Sequence, residues 1–168
     1  MIVGKVWKFG DDINTDVIFP GRYTYEPMSD EAMGKYALED ADSAFNRQAQ
    51  AGDIIVAGKN WGCGSSREQA AKCLKARGVA AVIAKSFARI FYRNALNEGL
   101  LILVCPEANR IAKDGEIIKI DIDAHRIYAK NRVVEFQPYP SYLNRLIACG
   151  GIVAYTKERL EEKMTFEK

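Results

Sequence analysis

The hydrophobic positions near the start of the chain come in short runs without helical period. Residues 2–9 (IVGKVWKF) alternate well enough for an opening strand that turns at Gly10-Asp11-Asp12. In NTDVIFPG, the apolar run Val17–Phe19 predicts a short strand broken by Pro20-Gly21, with Asn14, Thr15 and Asp16 closing a turn before it. Residues 22–28 have no period. Their Arg22, Tyr23, Thr24, Tyr25, Glu26 and Pro27 suit a mobile recognition loop as well as an exposed connection. Ser29–Leu38 predicts a helix with Ser29 as cap and Asp30 and Glu31 in its first turn, and residues 41–50 a second short helix.

From residue 53 the pattern switches between buried runs and helical spacing. Asp53–Gly58 is too short for a helix and rich in β-branched residues, so it predicts a buried strand. A helix follows from Ser66 to a C′ glycine at Gly78, then a strand at Val79–Ala84. Phe87, Ile90, Phe91 and Leu96 keep helical spacing up to Gly99, and Leu100–Val104 is a strand ended by Pro106. This β-α-β-α-β order predicts parallel strands joined by crossover helices. After Asp114, GEIIKIDID, HRIYA and RVVEF read as short antiparallel strands with turns at Asp123-Ala124 and Lys130-Asn131. A helix at Ser141–Ala148 ends at Gly150-Gly151, and residues 155–163 form a polar terminal helix. The expectation is one α/β domain with a mixed sheet over residues 1–168.

Composition narrows the function more than the fold. Apolar content of 48% and charged content of 27% are ordinary for a soluble globular chain. A net charge of +2 makes no case for nucleic acid or an anionic membrane surface. The apolar runs are too short to span a bilayer, and MIVGKVWKFGDD lacks an apolar signal region, which points to the cytoplasm. Cys63, Cys73, Cys105 and Cys149 are spaced for neither a zinc site nor an iron–sulfur run and read as reduced, mostly buried thiols. Cys63 stands apart, in a glycine loop near a helix N-terminus where a thiol pKa can fall. The one histidine, His125, lies in a hairpin turn and gives no cysteine a catalytic partner.

Candidate chemistry concentrates in DIIVAGKNWGCGSSREQ, residues 53–69. A glycine-rich strand-to-helix turn offers backbone N–H groups and the positive end of a helix dipole to a small anion. Ser65-x-x-Glu68 and Ser66-x-x-Gln69 both fit a capping box, so ordinary capping accounts for one serine and Glu68. It does not account for two serines followed by Arg67 between Gly62, Gly64 and a helix. Arginine there opposes the helix dipole and calls for an anionic partner. Spacing excludes the P-loop, the dinucleotide fingerprint and the esterase elbow.

GKNWGCGSSREQAA, followed by AVIAKSFARIFYRNALNEGL, closely resembles the small subunits of 3-isopropylmalate dehydratase and their aconitase-superfamily relatives. NTDVIFPG resembles that family's T-D-x-I-x-P-G segment, and RLIACGGIVAY fits its double glycine, so the resemblance covers essentially the whole chain. It implies a swivelling β/β/α domain that closes over a separate large subunit carrying a [4Fe–4S] cluster through its own cysteines, with no metal held by this chain. It further implies Ser65 as the base for a carbon-bound proton, and Ser66 and Arg67, with the Gly64 loop, as carboxylate binders in a hydro-lyase of leucine biosynthesis. Specificity should then sit at Arg22, Tyr23, Thr24 and Tyr25. In the aconitase and homoaconitase branches an arginine aligned with Tyr25 would pair a third carboxylate. The neutral Tyr25 disfavours such a substrate, while Arg22 could reach in from nearby. YTYE also departs from the aliphatic loop usual for isopropylmalate, leaving 2,3-dimethylmalate dehydratase and homoaconitase as alternatives. A stand-alone anion- or phosphate-binding module, or an interaction domain whose serines only cap, are readings of a different class.

Overall fold

The computed structural model describes residues 1–166, with side chains described through Glu162. The chain opens with strand β1 (Ile2–Lys8), followed by α1 (Thr15–Ile18), a 3-10 turn (Gly21–Tyr23), α2 (Asp30–Gly34) and α3 (Ser43–Gln48). Then come β2 (Ile54–Ala57), α4 (Glu68–Ala76), β3 (Ala81–Ala84), α5 (Arg89–Glu98), β4 (Ile102–Val104) and α6 (Ala108–Ile111). Strands β5 (Ile117–Asp121), β6 (Arg126–Ala129) and β7 (Arg132–Glu135) precede α7 (Ser141–Ala148) and α8 (Ile152–Phe166).

All seven strands form one sheet in the order β4-β3-β2-β1-β5-β6-β7. β1 to β4 pair in parallel, and β5, β6 and β7 continue the sheet antiparallel from the other side of β1. The continuous apolar runs of β2 and β3 follow from burial on both faces. Ile55 and Ala57 face the helices, in a core with Trp7, Phe45, Leu74, Val82, Phe91 and Ile102. Ile54 and Val56 point the other way, into a second core with Val6, Ile83, Ile118, Ile120 and Ile127. The period of two along each strand sends alternate side chains to opposite faces of the sheet, so in β2 and β3 successive residues enter one core or the other. In β5 the alternation leaves Ile118 and Ile120 buried and Lys119 outside.

Four local expectations change. Val17–Phe19 is not a strand: the Asn14 side chain accepts from the Val17 N–H at 2.8 Å and starts the short helix α1, which ends before Pro20. α2 keeps the predicted Ser29 cap but stops at Gly34, with turns carrying the chain to Ala41. α6 was not expected, since one turn of helix leaves no period to detect. Neither serine forms the capping box: α4 begins at Glu68 with Arg67 as N-cap and no side-chain cap at all. Gly78 and Gly99 end α4 and α5 in positive φ as predicted.

Candidate active site

The loops that follow β1, β2 and β3 meet at the carboxyl ends of these parallel strands, the edge where open α/β sheets bind ligands. The loop after β2, residues 58–67, is held between the other two. On one side the Gly62 N–H donates to the Ile13 carbonyl at 2.7 Å, and the Thr15 N–H donates to the Cys63 carbonyl at 2.8 Å. On the other, the Trp61 N–H donates to the Ser86 carbonyl at 3.0 Å, and the Ala88 N–H donates to the Trp61 carbonyl at 2.9 Å. Isolated parallel bridges, Asn14 with Cys63 and Trp61 with Phe87, extend the sheet pairing into the loops. Trp61 is fully buried beneath, edge-on to Phe9 and Phe91. Gly62 has φ +77, and a Cβ there would sit 2.2 Å from the Phe91 ring, so the loop can lie on α5 only with glycine at this position.

This scaffold presents the predicted residues at its rim. The Thr15 hydroxyl donates to the Ser65 carbonyl at 2.9 Å, which keeps Ser65 on the loop ladder and away from the head of α4. The hydroxyls of Ser65 and Ser66 are exposed and uncommitted to capping, and Gly64 sits beside them with φ +94. Arg67 is only 20% exposed and pairs with the Asp16 carboxylate; its buried Nη1 makes an ion contact there without hydrogen-bond angles. Gly21 makes room for this pair: a Cβ on it would lie 3.1 Å from Asp16 Oδ1 and 3.2 Å from Arg67 Nη1. The remaining guanidinium donors, the two hydroxyls and the uncapped start of α4 form a small electropositive rim suited to a carboxylate.

The segment after Gly21 lies close by but is arranged differently from the expectation. Arg22 does not reach toward the rim. Its guanidinium bonds Asp40 at 2.7 and 3.0 Å and Glu39 at 2.8 Å, and lies over the Tyr23 ring. The Arg22 hydrogen bonds hold the Asp40 carboxyl below the usual aspartate range, and Asp40 raises Arg22 in turn. Tyr23 stacks on Tyr36 at 4.0 Å between centroids and leans on Phe19. The Thr24 hydroxyl is buried without a partner, and Tyr25 is 93% exposed.

Thr15 and Asp16 are the site residues that sequence reasoning missed. The polar trio before an apolar run terminated by proline was the available signal, but it also fits a plain turn.

A cleft of about 840 Å³ opens beside Gly62 and Gly64, walled by Phe87, Ile90, Tyr92 and the start of α5. A smaller one, about 310 Å³, adjoins Ser66, Glu68 and Lys72. The cysteines do not converge. Cys73 and Cys105 are buried, and burial pushes both thiols up. Cys149 is raised by its contact with Glu158, and Cys63 is half-exposed in the loop. His125 occupies the predicted turn, edge-on to Phe136. Among the described residues no group of three or more His, Cys, Asp or Glu could hold a metal, and the described side chains form no iron–sulfur ligand set. No helix among the described residues is long and apolar enough to cross a membrane.

A glycine loop with two exposed serines and an arginine lies at the carboxyl edge of a mixed sheet, which defines an α/β domain with its candidate site at that edge. The profile of the aconitase C-terminal domain family matches residues 12–108. The 3-isopropylmalate dehydratase small subunit of Nautilia profundicola is 50% identical over 166 residues, covering 96% of this chain and 98% of that one. Small subunit 1 of Methanopyrus kandleri is 45% identical, covering 94% and 93%. The crystal structure of 3-isopropylmalate dehydratase from Methanocaldococcus jannaschii superposes with a TM-score of 0.92 at 42% identity, over 98% of both chains. The chain belongs to the family of 3-isopropylmalate dehydratase small subunits, of the aconitase superfamily.

Proposed function

We propose that this chain is the small subunit of a hydro-lyase that interconverts 2-isopropylmalate and 3-isopropylmalate in leucine biosynthesis by dehydration and rehydration. It would work in the cytoplasm, as one swivelling domain over residues 1–168 that closes on a large subunit. The observation that carries the reading is the freedom of both serines. Capping would have consumed at least one hydroxyl, yet α4 starts without either. In this reading Ser65 accepts the proton from the carbon that loses it, and Ser66, Arg67 and the Gly64 backbone hold the substrate carboxylate. A serine hydroxyl is a weak acid, so its use as a base requires a fixed positive field; the α4 terminus, loop N–H groups and Arg67 supply it. Loss of that proton together with the hydroxyl of the neighbouring carbon gives the alkene diacid, and water then adds with the opposite regiochemistry. The proposal assigns the [4Fe–4S] cluster and its Lewis acidity to the large subunit.

Within the same chemistry, the substrate's third group would meet residues 22–25. With Arg22 engaged by Asp40 and Glu39, the side chains left uncharged at positions 23–25 are Tyr23, Thr24 and Tyr25, which favours an alkyl substituent over a third carboxylate. An unpaired carboxylate there would be costly, so homoaconitase is the weaker alternative and 2,3-dimethylmalate dehydratase the nearer one. The test is reconstitution with a cluster-bearing large subunit and an assay of alkene absorbance against isopropylmalate, dimethylmalate and homocitrate-type substrates. Ser65→Ala should lower turnover by roughly 10²–10⁴-fold, the range for a positioned acid–base group. Turnover left essentially unchanged would remove Ser65 from the role. Tight binding of inorganic phosphate by the chain alone would favour a stand-alone anion-binding module instead.

A further inference from the structure

We infer that the start of α5, with Arg89, Ile90 and Arg93, is the surface on which the large subunit docks, through an acidic segment with an apolar side chain among its carboxylates. The inference rests on the proposed function, which requires a second subunit to close on the loop. Three observations point to this face.

Arg22, Arg67, Arg126 and Arg145 each pair with a carboxylate. Arg89 and Arg93 are exposed and, like Arg47, Arg77, Arg110, Arg132 and Arg159, form no ion pair among the described residues; what sets the two apart is that they share one helix beside the cleft at Gly62 and Gly64. Four positions apart on one helix, they project from the same face. The helix itself adds to the field. α5 follows Ala88 as N-cap, with no side-chain cap and no acidic residue in its first turn, and places Arg89 where a cation opposes the dipole. Arginine in that position gains nothing from this chain, whereas an incoming carboxylate would meet both guanidinium groups and the helix end.

Between the arginines Ile90 is 41% exposed, and Phe87 and Tyr92 line the same cleft of about 840 Å³. Arginine and aromatic side chains around an exposed apolar centre make the composition of a protein interface rather than of a small-anion pocket. The cleft also includes Gly62 and Gly64, so it is continuous with the rim that lacks its other half. A subunit closing over Ser65 would have to pass over this face.

The test titrates the chain onto a fixed amount of the cluster-bearing large subunit, reading both association and turnover. The Arg89→Glu/Arg93→Glu variant should raise Kd by about tenfold or more and flatten the salt dependence of association, as charge reversal at a steering surface does. Turnover at saturating variant should stay within about twofold of the wild type, because affinity and not chemistry is altered. Ile90→Asp should weaken association with the same pattern. Lys113→Glu/Lys130→Glu, in a separate basic cleft, carries the same charge change and should leave Kd unaltered. If the reversal variant loses its thermal transition, Arg89→Ala/Arg93→Ala replaces it, with about threefold weaker binding expected.

An active wild-type pair whose Kd is unmoved by these changes overturns the docking surface alone. An unchanged Kd with a raised KM would assign the arginines to a small anion and overturn it as well. A wild-type chain that neither binds nor activates the large subunit overturns the function, and the docking surface with it.

Discussion

Arg67 stands at the head of α4 with its guanidinium against Asp16, a residue fifty-one positions earlier in the chain. Asp16 can act on it in two opposed ways. It can hold the side chain ready, or compete with a substrate carboxylate for the same charge. Arginine carries about 2 kcal/mol of side-chain rotamer entropy, part of which the pair removes before binding. The competing charge is half exposed and screened, and an exposed pair contributes only about 0–1 kcal/mol. Holding therefore outweighs competing. Asp16→Asn in the reconstituted enzyme should raise KM about fivefold, equivalent to about 1 kcal/mol, with kcat and thermal stability little changed. A lowered KM would make Asp16 a competitor. Ser65, Ser66 and Arg67 were legible in the sequence because they are contiguous and break a local rule. Thr15 and Asp16 were not, because what they do is defined by partners about fifty residues away.

Elements repeat the contrast. β2, β3 and β4 were readable because a strand buried on both faces must be continuously apolar, and α5 because its period runs into Gly99. α1 was not, since three apolar residues fit a strand or one helical turn equally, and a single Asn14 hydrogen bond decides between them. The capping box failed for a tertiary reason: Thr15 and the bridge to Cys63 keep the chain extended through Ser65, so α4 starts later than its sequence allows. The loop is thus shaped by packing, and Gly62 is where the packing is least forgiving. In Gly62→Ala, positive φ costs about 1–2 kcal/mol. The collision with Phe91 adds about 1–3 kcal/mol as overpacking. Thermal unfolding should fall by roughly 5–15 °C, at about 2–4 °C per kcal/mol for a chain of this length. An unchanged midpoint would show that the loop does not rest on α5 as described.

The order of the strands was the least legible feature of the molecule. β-α-β-α-β fixes the parallel half, and hairpin signals fix β5-β6-β7, but nothing local places β5 beside β1 rather than in a sheet of its own. That placement makes the two halves share a core. Ile118, Ile120 and Ile127 from the antiparallel strands pack in one cluster with Val6, Ile54, Val56 and Ile83 from the parallel ones. Because β1 is common to both halves, the antiparallel strands cannot come away without exposing the back of the strands that carry the site loop. We propose on this ground that residues 1–168 unfold as one domain. Ile120→Ala, at a fully buried position in β5, should destabilise the chain by about 2–5 kcal/mol through lost burial and the cavity left behind. The cost should appear everywhere at once. Tryptophan fluorescence, from Trp7 and from Trp61 beneath the glycine loop, both in the core on the opposite face of the sheet, should report the same lowered midpoint as far-UV circular dichroism. Two separated transitions, with the tryptophan signal keeping its wild-type midpoint, would mean that the antiparallel strands form a unit of their own and that the site does not depend on them.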